Sequence, residues 1–139
     1  MSEFTGPVVL SISTRFENIE VVQMVCEGVC RMCGFDPEAT YQVGMALREG
    51  VANAMKHGNR WEPSRLVEVR FGREGERLRV EIEDQGSGFD PNAVPDPLAP
   101  ENRIKTSGRG ILYVRTFMDH FDFLFEEGRG TVLRMEKKL

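Results

Sequence analysis

Three short segments of the sequence carry residue types and spacings that could support chemistry. The first, DQGSGF, follows the alternating stretch RLRVEIE and places an acid, Asp84, ahead of two glycines, Gly86 and Gly88. Glycine lets the backbone turn sharply and approach a ligand closely. The segment is therefore either a turn without a ligand or the floor of a binding site.

The second segment, ALREGVANAMKHGN, predicts a helix that carries a polar row. Glu49, Asn53 and His57 recur every four residues, a spacing that rotates them by only about 40° per step. The row borders an apolar stripe made of Val43, Leu47, Gly50, Val51 and Ala54. Burying an unpaired polar group costs about 2–7 kcal/mol, so a functional role is one explanation. The alternative is structural: Asn53 cross-links loops, while Glu49 pairs with Arg48 or Lys56 on a solvated face.

The third segment, SGRGILYVRTFMD, opens a predicted helix with Gly108 and Gly110. Free backbone amides at the start of a helix favour an anion, and the helix dipole strengthens the effect. Arg109 adds a positive charge at the same place. Glycine pairs also precede helices in ordinary turns, so the segment indicates either an anion site or a plain turn.

Hydrophobic periodicity and turn residues predict the elements that position these segments. Alternation predicts five strands, at 8–13, 66–72, 77–84, 121–127 and 131–138, and the last two form a hairpin around residues 128–130. Helical periodicity predicts three helices. The first is capped by Asn18 and runs to about Cys33, the second is capped by Asp36 and runs to about His57, where Gly58 and Asn59 end it, and the third runs from about Gly110 to Met118. Residues 90–107 hold four of the seven prolines and predict a long loop of a kind that is usually functional or disordered.

This order of elements predicts an α+β fold of two layers. We expect a mixed sheet of about five strands with three helices on one face. The 139 residues suffice for one domain with a single core, so residues 1–139 are predicted to form one domain. The GxxxxGK[ST] loop and the repeating βαβ pattern are absent from the sequence, which excludes a P-loop protein and a Rossmann fold.

Composition and charge narrow the class of protein. The net charge of −4, with both signs interspersed, argues against nucleic acid or an anionic membrane surface as the main partner. The N-terminus, MSEFTGP, has neither the basic nor the apolar region of a signal peptide. No apolar run approaches the roughly 20 residues that span a bilayer. We therefore expect a cytoplasmic protein.

Three cysteines, Cys26, Cys30 and Cys33, follow the spacing C-x3-C-x2-C, which radical-SAM enzymes use for an iron–sulfur cluster. Helical periodicity places all three on the apolar stripe of the first helix, where free cysteines behave as small buried hydrophobes. A cluster-binding triplet normally sits in a loop of a much larger barrel. Core or interface packing is the preferred interpretation, and a metal site is the alternative.

Taken in order, the three segments resemble the N, G1 and G2 boxes of the GHKL ATP-binding superfamily. This superfamily includes histidine kinases, chaperone ATPases, gyrase-type ATPases and anti-sigma serine kinases. The resemblance extends from Val8 to about Lys137, and LREGVANAMKHGN and SGRGILYVRTFMD are most similar to the anti-sigma factor serine/threonine kinases. It implies the Bergerat ATP-binding fold, with ATP and Mg²⁺ as cofactors.

The resemblance implies a role for each matching residue. Glu49 is the expected general base for phosphoryl transfer, and Asn53 is the expected Mg²⁺ ligand. Asp84 receives the adenine amino group, while Gly86 and Gly88 let the chain pass beneath the base and the ribose. The remaining cofactor-binding residues are Phe89, Lys105, Thr106, Ser107, Gly108, Arg109 and Gly110.

One stretch departs from the pattern of the resembled kinases. They often carry an arginine, poised for the γ-phosphate, ahead of the G2 glycines. Lys105, Thr106 and Ser107 occupy that neighbourhood here, and Lys105 or Arg109 could substitute for the arginine.

The function implied by the resemblance is that of an ATP-dependent serine/threonine kinase acting as an anti-sigma factor. Such a kinase phosphorylates a STAS-domain anti-anti-sigma protein and sequesters a sigma factor. A homodimer is also implied, and the Cys and Met residues of the first helix leave apolar surface for it to cover. Two alternatives stay open: a nucleotide-binding partner-switch module without kinase activity, and a stand-alone ATPase or histidine-kinase-like catalytic domain.

Overall fold

The computed structural model of the protein describes residues 6–86, 110–125 and 130–139. The strands are β1 (Val8–Ser13), β2 (Leu66–Glu74), β3 (Arg77–Glu83), β4 (His120–Phe125) and β5 (Thr131–Lys138). The helices are α1 (Asn18–Met32), α2 (Pro37–Asn53) and α3 (Gly110–Phe117), and a π-helical turn (Ala54–Gly58) continues α2. Each predicted element is present with small shifts at its ends, while the predicted loop at 90–107 lies outside the described residues.

The strands form one sheet in the order β1-β2-β3-β5-β4, and each neighbouring pair is antiparallel. The predicted α+β fold is confirmed, but the expectation of a mixed sheet is wrong for the described strands. A parallel pair would arise if β3 and β4 were neighbours. Instead the β4–β5 hairpin places β5 between them, so β3 and β4, which run in the same direction, are not neighbours.

The three helices pack on one face of the sheet. Alternate residues of the central strands point towards them, and on β2 these are Val67, Val69 and Phe71. Helix α2 lies between α1 and α3 and comes closest to the sheet at Gly50. A Cβ at Gly50 would meet Ile82 Cδ1 at 2.6 Å and Leu133 Cδ2 at 3.0 Å, so the glycine permits this approach.

Ion pairs cover part of the opposite face of the sheet. Arg70 Nε donates to Glu81 Oε1 at 3.1 Å, and Arg134 Nε donates to Glu81 Oε2 at 2.9 Å. Burial alone would raise the pKa of Glu81, but the hydrogen bonds from Arg134 and Arg70 outweigh it and hold the pKa below its usual value. A face that carries such pairs suits contact with water, as expected of a two-layer fold.

The two long helices begin differently. Asp36 caps α2 as predicted, since its Oδ1 accepts from the backbone N–H of Ala39 at 2.8 Å. The predicted cap of α1 is wrong, because Asn18 is the first helical residue and not the residue before it. Its side-chain amide instead donates to Ser13 O at 3.0 Å and to Ser13 Oγ at 2.9 Å, which ties the start of α1 to the end of β1.

The three cysteines, two in α1 and one directly after it, pack in the core, as the preferred interpretation predicted. Cys26, Cys30 and Cys33 are all buried, and none of the three forms a disulfide. A hydrogen bond to Cys30, together with burial, raises the pKa of the Cys26 thiol, so this group stays protonated. Within residues 6–86, 110–125 and 130–139, no cluster of three or more His, Cys, Asp or Glu side chains could hold a metal ion.

No helix among the described residues is both long enough and apolar enough to cross a lipid bilayer.

Gly50→Ala tests how closely α2 must approach the sheet. We expect the free energy of unfolding to fall by about 1 kcal/mol, because overpacking costs about 1–3 kcal/mol and alanine returns only about 1 kcal/mol of helix propensity. Gly28→Ala on α1 is the matched control, since nothing lies within 4 Å of a Cβ there. That variant should gain about 0.5–1 kcal/mol. Urea unfolding measures both changes, and equal gains in the two variants would contradict the close approach.

Candidate functional site

The candidate site lies where three segments from distant parts of the chain meet. Asn53 ends α2, Asp84 follows β3, and Thr131 begins β5. These three residues line one small cavity, whose volume of about 10 Å³ leaves room for about one water molecule. The structure therefore brings together two of the predicted site residues, Asn53 and Asp84.

The carboxylate of Asp84 is buried and held by backbone groups. Only 2% of the residue is exposed. Its Oδ1 accepts from the N–H of Gly86 at 3.0 Å and from the N–H of Thr131 at 3.1 Å. The backbone N–H of Asp84 donates in turn to Thr131 O at 3.1 Å. These bonds give the carboxylate one orientation, which is the property that a recognition group needs.

Glycines surround Asp84 because there is no room for a side chain at their positions. A Cβ at Gly58 would overlap the Asp84 carboxylate, and a Cβ at Gly130 would overlap the Asp84 carbonyl oxygen. A Cβ at Gly86 would overlap the carbonyl oxygen of Gly58. The structure thus explains Gly86 by the close approach of two backbones, in addition to the ligand contact that the motif resemblance implies.

Asn53 leaves a buried acceptor without a partner. The residue is 5% exposed, and its Oδ1 accepts no hydrogen bond from the described residues. The structural alternative, in which Asn53 cross-links loops, therefore does not account for this oxygen. A buried oxygen of this kind fits a cation, a water molecule or an N–H group of a ligand.

Glu49 lies one turn before Asn53 on the same helix and is half-buried. Within the described residues it takes part in no hydrogen bond or ion pair. The alternative pairing with Arg48 is wrong, because Arg48 Nη1 donates instead to Glu20 Oε1 at 2.7 Å and to Gln23 Oε1 at 2.5 Å, both on α1. The third member of the row, His57, lies in the π-helical turn and is half-buried as well.

Helix α3 runs antiparallel to α2, which turns its first residue towards the site. Its last residue, Phe117, packs against Tyr41 in the first half of α2, with ring centroids 6.5 Å apart. Lys137 Nζ donates to Phe117 O at 2.8 Å, so this end of α3 lies at the far end of β5. Gly110, at the opposite end of α3, therefore faces the end of the fold that holds Asn53 and Asp84.

The other predicted site residues cannot be placed in this geometry. They lie outside the described residues and are Gly88, Phe89, Lys105, Thr106, Ser107, Gly108 and Arg109.

Four residues near Asp84 escaped the sequence reasoning. The sequence predicts Gly58 and Asn59 only as the end of a helix and Gly130 only as part of a hairpin turn, and it indicates no role for Thr131. Two signals in the sequence could have pointed to them. One is a small residue followed by Thr at the start of the last strand, and the other is a polar residue directly after a glycine that ends a helix. Both signals are common in ordinary turns, so contacts were needed to interpret them.

The arrangement combines three chemical abilities. The fixed carboxylate of Asp84 can accept a hydrogen bond from an amino group or another N–H donor. The unpaired Oδ1 of Asn53 can accept from a donor or coordinate a hard cation, which prefers oxygen ligands. The half-buried carboxylate of Glu49 can take a proton from a hydroxyl group that reaches it.

Known proteins are similar to this chain over most of its length. The family described as a histidine kinase-like ATPase domain matches residues 12–137. Serine-protein kinase RsbW of Listeria innocua is 22% identical over 139 residues, which cover 96% of this chain and 88% of the relative. The protein of the same name from Bacillus velezensis is 26% identical, with coverages of 100% and 89%. A third, from Halalkalibacterium halodurans, is 24% identical, with coverages of 94% and 82%.

Proposed function

This chain belongs to the histidine kinase-like ATPase domain family, and we propose that it is an ATP-dependent serine/threonine protein kinase acting as an anti-sigma factor. The observation that carries the proposal is the placement of Glu49, a carboxylate without a partner among the described residues, one turn from the buried unpaired oxygen of Asn53. The relatives named serine-protein kinase support a hydroxyl group as the phosphate acceptor. We assign residues 1–139 to one kinase domain.

The adenine amino group is assigned to Asp84. Two backbone N–H groups hold one oxygen of its carboxylate, so the group presents an acceptor in a defined direction. Burial strengthens a hydrogen bond to such a charged acceptor, because water does not compete for it. Gly86, two residues after Asp84, is assigned to the approach of the backbone to a planar base. The remaining contacts, from Gly88, Phe89 and residues 105–110, rest on the motif resemblance.

The buried side chain of Asn53 fits a Mg²⁺ ion that accompanies ATP. Its Oδ1 is an oxygen ligand without a competing hydrogen bond from the described residues. One protein ligand is compatible with Mg²⁺, which commonly keeps several waters and binds phosphate oxygens. When bound, Mg²⁺ neutralises negative charge on the phosphates.

Glu49 is assigned as the general base. Its carboxylate accepts the proton of the acceptor hydroxyl while that oxygen forms its bond to the γ-phosphorus, and the bond to ADP breaks. The half-buried position gives an incoming protein access to Glu49, while Asn53 and Asp84 lie deeper. The site thus separates the residues that hold the nucleotide from the residue that meets the acceptor.

The proposed acceptor is a serine of a STAS-domain anti-anti-sigma protein, and the proposed second partner is a sigma factor. Both partners rest on the motif resemblance, and the relatives' shared name of serine-protein kinase is consistent with the first. Incubation of the chain with γ-labelled ATP and a candidate STAS protein tests the assignment directly. Label on a serine of the STAS protein supports it, whereas free phosphate or label on histidine would instead indicate an ATPase or a histidine-kinase-like domain.

A second candidate function is a nucleotide-dependent partner switch without phosphoryl transfer. The observation that favours it is the sequence KTS at 105–107, in a place where kinases of this group often carry an arginine. The same assay distinguishes a kinase from a partner switch. A partner switch would bind both ATP and the STAS protein but would transfer no label to the STAS protein.

We also propose that the chain forms a homodimer. The outer side of α1 exposes Val21, Met24 and Met32, at 49%, 69% and 51% of their surfaces. Strand β1 pairs with β2 alone among the described strands, and its sequence VVLSIS contains no charge or proline to block a further strand. A two-fold pairing through this region would cover both features.

The substitution Asp84→Asn tests the adenine assignment. It keeps the shape of the side chain but removes the negative charge, so we expect ATP binding to weaken by about 1–3 kcal/mol. Titration calorimetry measures the affinity, and the melting temperature checks that the variant is folded. A folded Asp84→Asn protein with the affinity of the wild type would refute the assignment.

Glu49→Ala and Asn53→Ala separate binding from chemistry. Glu49→Ala should leave ATP affinity nearly unchanged and slow phosphotransfer by about 10²–10⁴-fold, the usual contribution of a general base.

Asn53→Ala should weaken the binding of Mg·ATP and leave the affinity for metal-free nucleotide unchanged. Because Asn53 Oδ1 is buried without a partner, its removal should not lower the melting temperature. If both variants lose stability, binding and transfer together, the two residues are structural; if Glu49→Ala transfers like the wild type, the kinase mechanism is wrong.

The proposed dimer predicts a molar mass twice that of the chain in light scattering at concentrations well above micromolar. Met24→Glu should shift the mass towards the monomer, because it places a charge on the outer side of α1. Thr116→Glu is the matched control, since it adds the same charge to an exposed position on α3. A monomeric wild type at these concentrations would count against the proposal.

A further inference from the structure

We propose that Asn59 is a positioning residue that sets the nucleotide specificity of the site. It does so by holding the segment from Asp84 to Gly86, although the motif resemblance assigns it no role. This inference rests on the proposed binding of ATP at Asp84. It adds Asn59 as the residue that keeps the Asp84 carboxylate in position to contact adenine.

The side chain of Asn59 is completely buried and forms three hydrogen bonds. Its Oδ1 accepts from the backbone N–H of Gln85 at 2.7 Å. Its Nδ2 donates to Thr14 Oγ1 at 2.8 Å and to Leu66 O at 3.0 Å. The exposed fraction of the residue is 0%, so water is not available to replace any of these partners. One side chain therefore joins the end of β1, the start of β2 and the residue after Asp84.

The π-helical turn brings Asn59 to this position. The N–H of Asn59 donates to Ala54 O at 2.8 Å, a bond that spans five residues instead of the four of an α-helix. The wider turn directs the chain towards the end of β3, where Gly58 packs against the Asp84 carboxylate. Asn59 follows Gly58 and so meets the next residue of the β3 segment, Gln85.

Gln85 is held a second time through its own side chain. Its Oε1 accepts from the backbone N–H of Leu66 at 2.7 Å. The residue is exposed, so this second bond closes the outer side of the segment while Asn59 holds the inner side. Because Gln85 lies between Asp84 and Gly86, these two bonds also determine the geometry of the Gly86 N–H bond to Asp84 Oδ1.

An asparagine meets the requirements of this position, which needs two N–H donors and one oxygen acceptor on a short side chain. Aspartate keeps the acceptor for Gln85 but offers no donor to Thr14 and Leu66. Alanine removes all three bonds and leaves the Gln85 N–H without its partner. The two substitutions therefore separate the bond to the nucleotide segment from the bonds to the rest of the fold.

The specificity follows from the chemistry of the two purines. Adenine presents an amino group to a carboxylate acceptor, whereas guanine presents a carbonyl oxygen at the same position, which the carboxylate repels. A well-placed Asp84 therefore favours ATP over GTP. Without the bond from Asn59, the segment loses part of its contact with adenine, so the affinity for ATP falls. The affinity for GTP does not change, because Asp84 makes no favourable contact with guanine.

The experiment measures ATP affinity, GTP affinity and melting temperature for the full chain and its variants, at a temperature where each is folded. Asn59→Ala should weaken ATP binding about tenfold and leave the weak GTP binding unchanged, so the ATP/GTP preference falls about tenfold. Asn59→Asp should have a lower melting temperature but retain ATP affinity to within about threefold, because the Gln85 bond survives. Thr14→Val is the matched control. It removes both bonds of the Thr14 hydroxyl, the one from Asn59 Nδ2 and the one to Arg65 O at 2.7 Å, so it should lower the melting temperature and leave the ATP/GTP preference unchanged.

Gln85→Ala gives a second measurement that leaves the buried bonds intact. It removes the exposed bond to Leu66 and should lower the ATP/GTP preference about threefold in a protein that folds normally. Two results would overturn the inference: an unchanged preference in both Asn59→Ala and Gln85→Ala, or a loss of ATP affinity that follows melting temperature alone across all variants. A wild-type chain that binds no ATP would instead refute the proposed function, so the two failures are distinguishable.

Discussion

One buried carboxylate, that of Asp84, determines how the chain segments pack at the end of the fold that holds the candidate site. A buried charge is costly unless it is hydrogen-bonded, and here the N–H groups of Gly86 and Thr131 supply the bonds. Both donors are backbone groups, so two chain segments must approach Asp84 to within the length of a hydrogen bond. The π-helical turn after α2 comes equally close, since Gly58 leaves no space for a Cβ beside the carboxylate.

The position of α2 follows from this constraint and produces a gradient of burial along one helix. Because Gly50 has no side chain, α2 packs close to β3 and β5. The π-helical turn that follows α2 then brings the backbone into contact with Asp84. Asn53, which ends α2, is buried against the sheet, whereas Glu49, one turn earlier, stays half-buried. A group that holds a ligand and a group that meets a second protein need these different degrees of access.

The strand order supplies the remaining wall of the site. Because β5 lies next to β3, its first residue, Thr131, sits beside Asp84, and the two form hydrogen bonds in both directions. If β4 had been the neighbour of β3 in a parallel pair, its last residue, Phe125, would lie beside Asp84 in the place of Thr131. The antiparallel order therefore brings together residues that are as far apart in the chain as Thr14, Asn59, Asp84 and Thr131.

The sequence by itself determined the features that depend on near neighbours in the chain. These are the approximate bounds of the elements, the Asp36 cap and the buried stripe of α1. The sequence also determined the polar row of Glu49 and Asn53 and the acid, Asp84, that follows a strand. The order of the three motif segments along the chain indicated the family. Tertiary structure alone decided the strand order, the pairing of Arg48 with α1, the unpaired oxygen of Asn53, and the contacts of Asn59 and Thr131. The physical reason is range: periodicity and capping act within a few residues, whereas a hydrogen bond between Asn59 and Thr14 joins positions 45 residues apart and exists only once the layers have packed.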